Sequence, residues 1–329
     1  MGNPAVSRLS IERRTLHFTR PVRSGSFTLE RREAAWIAVT AVDGSNGTGV
    51  AAPLPGLHRE SLDEAIAAIE GRRSAIEALD PAAAEGLPPS AAFATGVAIG
   101  VARRDPLLVA PLAARLPLNA LFAGDAAGAR AAGDSGSFRG FRSVKVKIDG
   151  DPARDRAVVE ALLATLAPTQ RLRLDANRRL SLEAALALVR GLPPERIEYL
   201  EEPLSDPFLL PRLHHETGLS IALDESLHEP SLRAALETAP GVAVHVLKPS
   251  LVGSVAAVRA RAERTARQGL ETVLSSAYDP RDSLRRIAII ATRLPAATRD
   301  HGLATGDLHI DDRGVPLEVV DGGLVLPDA

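Results

Sequence analysis

The sequence predicts an α/β protein built as a (β/α)-barrel, with an α+β capping domain formed by the N-terminus and a C-terminal tail. Two observations lead to this prediction. From about residue 116 onward, short apolar strands alternate with amphipathic helices, which is the pattern of βαβ units and a parallel sheet. The first 105 residues instead show strand patterns followed by helix patterns, and a length of 329 residues suits one large or two ordinary domains.

The capping domain is predicted to begin with a small antiparallel meander and to continue with two helices. Its elements are strands 8–19 and 34–42, a turn at 21–25 between them, and helices 61–78 and 90–103. Ser61 and Glu64 have the spacing of a capping box at the start of the first helix. The glycine-rich stretch 43–49 has no Gly-Lys-Ser/Thr and leads into no helix pattern, so we expect a hairpin turn rather than a phosphate loop.

In the barrel, strands and helices are predicted to alternate at intervals of one βα unit. The strands are 117–122, 143–148, 171–175, 196–201, 219–224, 242–248 and 270–275, and the helices are 152–166, 181–191, 206–217, 229–238, 252–268 and 281–293. The tail 315–327 is predicted to form a hairpin around Asp321–Gly323 that packs on the N-terminal meander. We therefore expect a cap of residues 1–105, a barrel of residues 106–300 and a C-terminal segment of residues 301–329 that returns to the cap.

Composition excludes several functional classes. The 39 basic and 41 acidic residues nearly cancel, so neither a nucleic-acid partner nor a membrane surface is indicated. The absence of cysteine excludes disulfides, thiolate metal sites and a cysteine nucleophile. The first 14 residues contain no apolar signal core, and the longest apolar stretch, 91–102, is too short to span a bilayer, so we expect a cytoplasmic protein. The sequence leaves the oligomeric state open.

Lysine is rare in this chain. Of the 39 basic residues, only Lys145, Lys147 and Lys248 are lysines, and the other 36 are arginines. Arginine stays protonated near neutral pH, whereas a buried lysine can lose its proton and act as a base. A coding bias toward arginine would leave stray lysines on exposed helices, but these three lie in predicted strands. Their positions therefore favour a chemical role.

Charged side chains recur at the carboxyl ends of successive predicted strands. They are Lys145 and Lys147, Arg173 and Asp175, Glu201 and Glu202, Asp224 and Glu225, and Lys248. The steps from Lys147 through Asp175, Glu201 and Asp224 to Lys248 are 28, 26, 23 and 24 residues, about one βα unit each. Period-2 alternation turns the charged residues of the first two of these strands into the barrel. Since active sites of such barrels lie at that rim, we expect the site there.

The arrangement indicates proton-transfer chemistry beside a metal ion. Asp175, Glu201 and Asp224 offer only oxygen ligands and three negative charges, which favours a hard ion, Mg²⁺ first and Mn²⁺ as its substitute. A small-molecule carboxylate bound to the ion would be stabilised as an enediolate after loss of its α-proton. Lys147 is placed to act as the base, and Lys248 is either a second acid/base or a cation facing the intermediate. A buried salt-bridge layer is the competing interpretation, although lysines on both flanks of the carboxylates fit catalysis better.

Five ordered motifs carry a family resemblance. They are KVK (145–147), LDAN (174–177), EEP (201–203), DES (224–226) and KPS (248–250). Together they resemble the muconate-lactonising branch of the enolase superfamily, in which a Lys-x-Lys motif and an opposing lysine flank a Mg²⁺ site. The resemblance implies an enolase-type modified barrel with a cap. Within that branch, four segments are similar to o-succinylbenzoate synthases: APLPGLHRESLDEA (52–65), VLKPSLVGS (246–254), TVLSSAYD (272–279) and HGLATGDL (301–308).

The resemblance to o-succinylbenzoate synthases implies a reaction and a set of roles. The reaction is the dehydration of 2-succinyl-6-hydroxy-2,4-cyclohexadiene-1-carboxylate to 2-succinylbenzoate in menaquinone synthesis. The implied Mg²⁺ ligands are Asp175, Glu201 and Asp224, with the first glutamate of EEP as the ligand. Lys147 would remove the α-proton and return it to the departing hydroxide. Lys248 would stabilise the enediolate by its charge, and Lys145 would support the substrate carboxylate.

Five further residues are predicted to contact the substrate or to support the metal ligands: Asn177, Arg173, Ser275, Ser276 and Glu225. Asn177 shares the side of Asp175 but also suits a turn. Arg173, one layer below Asp175, either reaches the succinyl end through water or, as we favour, neutralises the three carboxylates. Ser275 and Ser276 either donate hydrogen bonds to the succinyl carboxylate or begin the following helix.

Three departures from the family pattern bear on the substrate. They are Gly49–Ala51, where many relatives have a Gly-Glu pair, Leu57 at a place often aromatic, and Asp279–Pro280, where a Glu-Ser-Ser run is common. Two alternative functions stay open. One is a racemase or epimerase of N-acylated amino acids or dipeptides, which would use the same two-lysine geometry. The other is a non-catalytic binding protein of the same fold, which the retention of all three carboxylates and lysines argues against.

Overall fold

An antiparallel sheet of three strands forms the first part of the fold. The computed structural model describes residues 7–24, 27–108 and 115–326. β1 (Arg8–Ser24), β2 (Phe27–Thr40) and β3 (Asn46–Ala51) pair in that order, as the predicted meander. β1 continues through most of the predicted turn at 21–25, with an irregularity in its pairing between His17 and Val22. Residue 25 of that turn and residues 1–6 lie outside the described residues.

Three helices pack against this sheet: α1 (Leu62–Glu70), α2 (Arg73–Glu77) and α3 (Pro89–Ala102). The predicted capping box is present, because the Ser61 hydroxyl accepts a hydrogen bond from Glu64 N while the Glu64 carboxylate accepts one from Ser61 N. The prediction of one continuous helix over 61–78 is wrong. Gly71 ends α1, and Arg72 leaves the helical backbone conformation with φ −111° and ψ 9°.

The glycine-rich stretch allows β3 to lie directly on α3. A Cβ atom at Gly47 would be 1.9 Å from Ala98 O, and one at Gly49 would be 1.9 Å from Ala94 O. Only glycine permits so close a backbone approach. The predicted hairpin turn is present over residues 41–45, and the later glycines serve strand–helix packing.

The second part of the chain is a barrel of parallel strands. After β4 (Arg115–Pro117), its strands are β5 (Ala120–Phe122), β6 (Ser143–Lys147), β7 (Arg171–Asp175), β8 (Ile197–Glu201), β9 (Ile221–Leu223), β10 (Val242–Leu247) and β11 (Glu271–Leu274). β5 to β11 are neighbours in sequential order. Residues 301–302 join the two edges, since His301 bridges to Leu118 and Gly302 bridges to Ser275. The barrel is thereby closed by a short eighth segment, and the predicted fold class is confirmed.

Helices cover the outside of the barrel. They are α4 (Ala126–Asp134), α5 (Pro152–Thr165), α6 (Leu182–Val189), α7 (Leu210–Thr217), α8 (Pro230–Leu236), α9 (Pro249–Val252), α10 (Val255–Arg267) and α11 (Arg281–Ala291). The predicted helix 252–268 is shortened at its start and preceded by α9, because Gly253 adopts a φ of +116° that interrupts the helix. α4 was not predicted. Within the described ranges, none of the helices combines the length and apolar character needed to cross a membrane.

The strand faces follow the predicted alternation. Val144 and Val146 of β6 and Leu172 and Leu174 of β7 are at most 1% exposed and belong to the large apolar core shared with the helices. The charged residues of these strands therefore face the barrel interior. Lys147 pairs with Asp175, and Asp175 with Glu201, so these strand ends lie level.

The C-terminal tail contacts both parts of the molecule. β12 (Glu318–Val320) and β13 (Gly323–Val325) form the predicted hairpin, but its predicted packing on the meander is wrong, because β13 pairs with β4. The edge of β1 is instead bonded to residues 308–310: Thr19 N donates to Leu308 O at 2.9 Å, and Ile310 N donates to His17 O at 2.9 Å. The predicted boundary at 300/301 assigns residues 301–302, which close the barrel, to the C-terminal segment, and the domain division stays a prediction.

Candidate active site

A cavity of about 350 Å³ lies at the carboxyl ends of the barrel strands, beside loops of the cap. Eight of the eleven predicted site residues line it: Lys145, Lys147, Asn177, Asp224, Glu225, Lys248, Ser275 and Ser276. Asp175 and Glu201 are bonded to Lys145 and are at most 1% exposed. The structure therefore brings ten of these residues to one site, and Arg173 is the exception.

Lys145 bridges two of the predicted metal ligands. Its Nζ lies 2.8 Å from Asp175 Oδ2 and 2.7 Å from Glu201 Oε1. The level ends of β7 and β8 bring the two carboxylates side by side. Burial alone lowers the pKa of Lys145, but the charges of Asp175 and Glu201 outweigh burial and raise that pKa well above its usual value. These two carboxylates thus converge on a cation.

Lys147 lies at the same strand end, closer to the cavity. Its Nζ donates to Asp175 Oδ2 at 2.6 Å and to Asn177 Oδ1 at 3.0 Å. Asn177 also donates its backbone N–H to Asp175 Oδ1 at 3.1 Å and has a left-handed φ of +44°. Asn177 therefore forms a turn and also contacts Asp175 and Lys147, and its predicted support of a metal ligand stays a prediction.

Lys248 faces the cavity from the other wall. It follows β10, four strands from β6 in a barrel of eight, and its Nζ donates a hydrogen bond to Asp224 Oδ2. Although burial lowers the pKa of Lys248, the charge of Asp224 raises it above its usual value. Next to Asp224 the protonated form of Lys248 is favoured, and the choice between its two predicted roles stays a prediction.

The carboxylates differ in their protonation. Burial, reinforced by the charge of Asp175, raises the pKa of Glu201 to about 7. Burial also acts to raise the pKa of Asp175, but Lys145 and Lys147 hold it well below its usual range. A further cation beside these carboxylates would lower the pKa of Glu201.

Glu225 and the two serines lie at the cavity wall. Asn177 Nδ2 donates to Glu225 Oε1 at 2.7 Å, and burial together with Asp224 raises the pKa of Glu225 to about 7. Ser276 Oγ accepts a hydrogen bond from Asp279 N at 2.9 Å, which agrees with a turn ahead of α11. Both serines line the cavity, so the predicted contact with a substrate carboxylate stays a prediction.

Arg173 lies below the cavity. Its guanidinium is fully buried and donates to Glu198 at 2.8 Å, to Asn119 Oδ1 at 3.1 Å and to Asp300 O at 2.7 Å. These partners lie one layer below the three carboxylates. Its carboxylate partner is Glu198 and not one of the three predicted metal ligands, and its two predicted roles stay predictions.

Arg179 and Asn119 are among the cavity residues that the sequence reasoning missed. Arg179 lines the cavity, and its Nη1 is 3.6 Å from Asp149 Oδ1. Asn119, between β4 and β5, lines the cavity and contacts Arg173. A signal for Arg179 existed, since it follows Asn177 by two residues in the same strand-end loop. The short β5 gave no comparable signal for Asn119.

The cap contributes two buried residues that hold the cavity loops. Arg32 of β2 donates to Ala277 O at 2.9 Å and to Tyr278 O at 2.6 Å, and it also donates to Ala52 O. His58 accepts a hydrogen bond from Leu54 N through Nδ1, while its Nε2 lies 3.2 Å from Ser250 O. These contacts fasten the loop that carries Gly56 and Leu57 to the barrel.

Comparisons with known proteins identify the family. Residues 126–329 match the family described as enolase C-terminal domain-like. An o-succinylbenzoate synthase of Pectobacterium atrosepticum is 37% identical over 272 residues, which cover 80% of this chain and 79% of that protein. The chain belongs to the o-succinylbenzoate synthase family of the enolase superfamily. The family resemblance and the prediction of an enzyme are thereby confirmed.

Further relatives agree with this assignment. An o-succinylbenzoate synthase of Yersinia enterocolitica is 35% identical over 259 residues, covering 77% of this chain and 76% of that protein. A solved structure of a dipeptide epimerase from Enterococcus faecalis V583, complexed with Mg and the dipeptide L-Leu-L-Tyr, superposes with a TM-score of 0.82. That superposition covers 98% of both chains at 18% identity, so it bears on the fold alone.

The donor set suits a divalent cation, although it is not arranged as a metal site in the described residues. No group of three or more histidine, aspartate or glutamate side chains in those ranges is placed to hold an ion. Lys145 instead bridges Asp175 and Glu201, while Asp224 Oδ1 is buried without a hydrogen-bond partner among the described residues. A small hard cation would suit these oxygens, because two of them already surround the ammonium group of Lys145 and a third, Asp224 Oδ1, is buried without a hydrogen bond.

Proposed function

We propose that this protein is a Mg²⁺-dependent o-succinylbenzoate synthase. Its reaction would dehydrate 2-succinyl-6-hydroxy-2,4-cyclohexadiene-1-carboxylate to 2-succinylbenzoate, a step of menaquinone synthesis. One observation carries the proposal: Lys147 and Lys248 enter one cavity from opposite walls, with buried carboxylates between them. The relatives named for this activity at 35–37% identity support it.

Lys147 would act as the general base. Its Nζ lines the cavity, while Asp175 and Asn177 fix its position. In the reaction the neutral amine takes the α-proton of the substrate, the C–H electrons form the new ring double bond, and the C–O bond to the hydroxyl breaks. The ammonium of Lys147 then gives the proton to the departing hydroxide, so water leaves and the amine is restored.

The remaining groups would stabilise charge. When bound to Asp175, Glu201 and Asp224, Mg²⁺ would offset the negative charge that the substrate carboxylate gains on proton removal. Lys248, held as a cation by Asp224, faces that charge from the other wall. Lys145 would be released from Glu201 and Asp175 toward the substrate carboxylate. The proposal includes action in the cytoplasm and activity with Mn²⁺ in place of Mg²⁺.

The decisive experiment offers the purified protein two substrate classes with Mg²⁺. We expect loss of the cyclohexadiene absorbance as 2-succinylbenzoate and water form, and loss of this activity in EDTA. Exchange of the α-proton of N-succinyl amino acids or dipeptides in D₂O, without any dehydration, would replace the proposal by a racemase or epimerase. If neither reaction is observed and calorimetry detects no Mg²⁺ binding, the protein would be a non-catalytic binding protein of the same fold.

A further inference from the structure

The second glutamate of the EEP motif belongs to a network of its own. Glu202 is 1% exposed and adopts a left-handed φ of +38°. Asn177 and Arg178, at the end of the neighbouring β7, have left-handed φ values of +44° and +60°. Such backbone costs of order 1 kcal/mol or more for a residue with a side chain, and it persists where surrounding contacts fix it. Three such residues at adjacent strand ends point to a constrained arrangement beside the site.

The Glu202 carboxylate accepts four hydrogen bonds. Its Oε1 accepts from Asp224 N at 2.7 Å and from Ser226 N at 2.8 Å. Its Oε2 accepts from Ser226 Oγ at 2.8 Å and from Arg178 Nε at 3.0 Å. Two of the donors are the backbone groups that begin the short helical turn 225–227. Glu202 therefore caps this turn from the next strand, the task that a residue at the start of a helix usually performs with its own side chain.

Asp224 starts that turn but does not cap it. Aspartate at such a position commonly accepts hydrogen bonds from the backbone two or three residues on. Here its side chain makes no capping hydrogen bond. Oδ2 instead accepts from Lys248, and Oδ1 has no hydrogen-bond partner among the described residues, with His228 Nε2 at 3.8 Å. Since Glu202 occupies the backbone donors, the Asp224 carboxylate is free to face the cavity.

We propose that Glu202 is a positioning residue that caps the 225–227 turn and thereby commits the Asp224 carboxylate to the cation site. Arg178 holds Glu202 in place. Its Nε bonds Glu202, its Nη2 donates to Ser226 Oγ at 3.0 Å, and its Nη1 donates to Glu229 at 2.5 Å. This inference rests on the proposed function only in taking Asp224 as a Mg²⁺ ligand.

The test measures Mg²⁺ binding by calorimetry, without substrate. Glu202→Gln keeps the oxygen that faces the backbone donors but replaces the other by an amide donor that opposes Arg178 Nε and Ser226 Oγ. This should displace the side chain from the turn, so that Asp224 can turn back toward the backbone donors. Removing such supports typically weakens metal binding 10–100-fold, and we expect a rise of Kd in that range. We also expect the Mg²⁺ concentration for half-maximal activity to rise in parallel, with kcat recovering to within a few-fold at saturating Mg²⁺.

The matched control is Glu229→Gln. Glu229 is the other carboxylate partner of Arg178, but its side chain is 46% exposed, so its loss should leave Kd unchanged within about twofold. If Glu202→Gln does not fold, Arg178→Met, which keeps the cap but removes its support, should still raise Kd several-fold. Wild-type-like Mg²⁺ affinity in folded Glu202→Gln or Arg178→Met protein would overturn the inference, whereas a wild-type protein that binds no Mg²⁺ would overturn the proposed function instead.

Discussion

The two ends of the barrel interior use charged residues in different ways. Below the cavity, Arg142 pairs with Asp300, Arg173 with Glu198, and Arg299 with both Glu198 and Glu271. At the mouth, the cations inside the barrel are lysines, paired with Asp175, Glu201 and Asp224. Guanidinium groups make fixed, forked ion pairs, whereas ammonium groups can release a proton. The end below the cavity, here called the floor, therefore has fixed ion pairs. The mouth, where the cavity opens, has lysines that can release a proton or change their hydrogen-bond partners.

Cavity size does not separate these two ends. The open cavity at the floor, lined by Arg142, Arg299 and Asp300, measures about 960 Å³, against about 350 Å³ at the mouth. Its carboxylates already have arginine partners. The mouth instead holds Asp224 Oδ1 and Glu225 Oε2 without partners among the described residues. Between these two cavities, carboxylate oxygens without hydrogen-bond partners distinguish the mouth better than volume does.

The largest effect is expected at the base. Lys147→Ala should lower kcat by about 10³-fold or more, because it removes the proposed base, the lysine that contacts both Asp175 and Asn177. Lys147→Arg, which keeps the charge but holds its proton, should be equally inactive. Stopped-flow or steady-state dehydration assays measure the loss, with circular dichroism as the check on folding. Substantial activity in either variant would remove Lys147 from the base role.

Loss of a carboxylate at the mouth should be the next largest effect. Asp224→Asn removes the charge that Lys248 pairs with, and we expect Mg²⁺ affinity to fall at least 10-fold by calorimetry. Asp224 is itself a proposed Mg²⁺ ligand, whereas Glu202 acts only through Asp224, so the defect should exceed that of Glu202→Gln. An unchanged metal requirement would take Asp224 out of the ligand set.

Stability should depend on pH through a histidine below the mouth. Burial, followed by the charge of Arg173, lowers the pKa of His301 to about 4, below its unfolded value of about 6.5. The unfolded chain binds the proton first, so this stability is complete above pH 6.5 and is lost as pH falls toward 4. Urea unfolding at pH 7.5 and 5.0 should show a His301 contribution of about 2 kcal/mol.

The variant His301→Gln isolates that contribution. It has no titrating group at this position, so its unfolding free energy should fall less between the two pH values than that of the wild type. The difference removes the effects of His228 and His309, whose pKa values burial also lowers to about 4. An equal fall in both proteins would show that His301 is protonated in the folded state.

The smallest effect should come from the floor. Arg299→Met removes ion pairs with Glu198 and Glu271, but Glu198 keeps Arg173. We expect a loss of about 1–2 kcal/mol in unfolding free energy, with kcat and KM within twofold of the wild type. A large loss of activity in folded Arg299→Met protein would show that the floor of the barrel takes part in the reaction, as the mouth does.

The sequence predicted the mouth well because its chemistry repeats with the fold. Charged residues at the ends of successive strands, at a spacing of one βα unit, are visible without coordinates, and Lys145, Lys147, Asp175, Glu201 and Asp224 do converge. Their roles, and the identity of the ion, stay predictions.

What the sequence could not show depends on contacts between distant segments. Arg173 lies on the same face of β7 as Asp175, yet its carboxylate partner is Glu198 from the adjacent strand. The three residues of β4 gave no sign that they would pair with β13. α4 is rich in alanine and glycine and lacks a clear apolar stripe, so its helical period was not apparent. Glu202 differs from Glu201 only through its partners across the next strand.

The buried Arg32 has a consequence for how substrate preference can change in this family. Through three carbonyl groups it joins Ala52, in the segment leading to Gly56 and Leu57, to Ala277 and Tyr278 after β11. A cap transplanted from a relative would have to bring an arginine at this place together with both loops. We therefore expect substrate selectivity to change in such chimeras only when both loops and this arginine are exchanged together, although they lie far apart in the sequence.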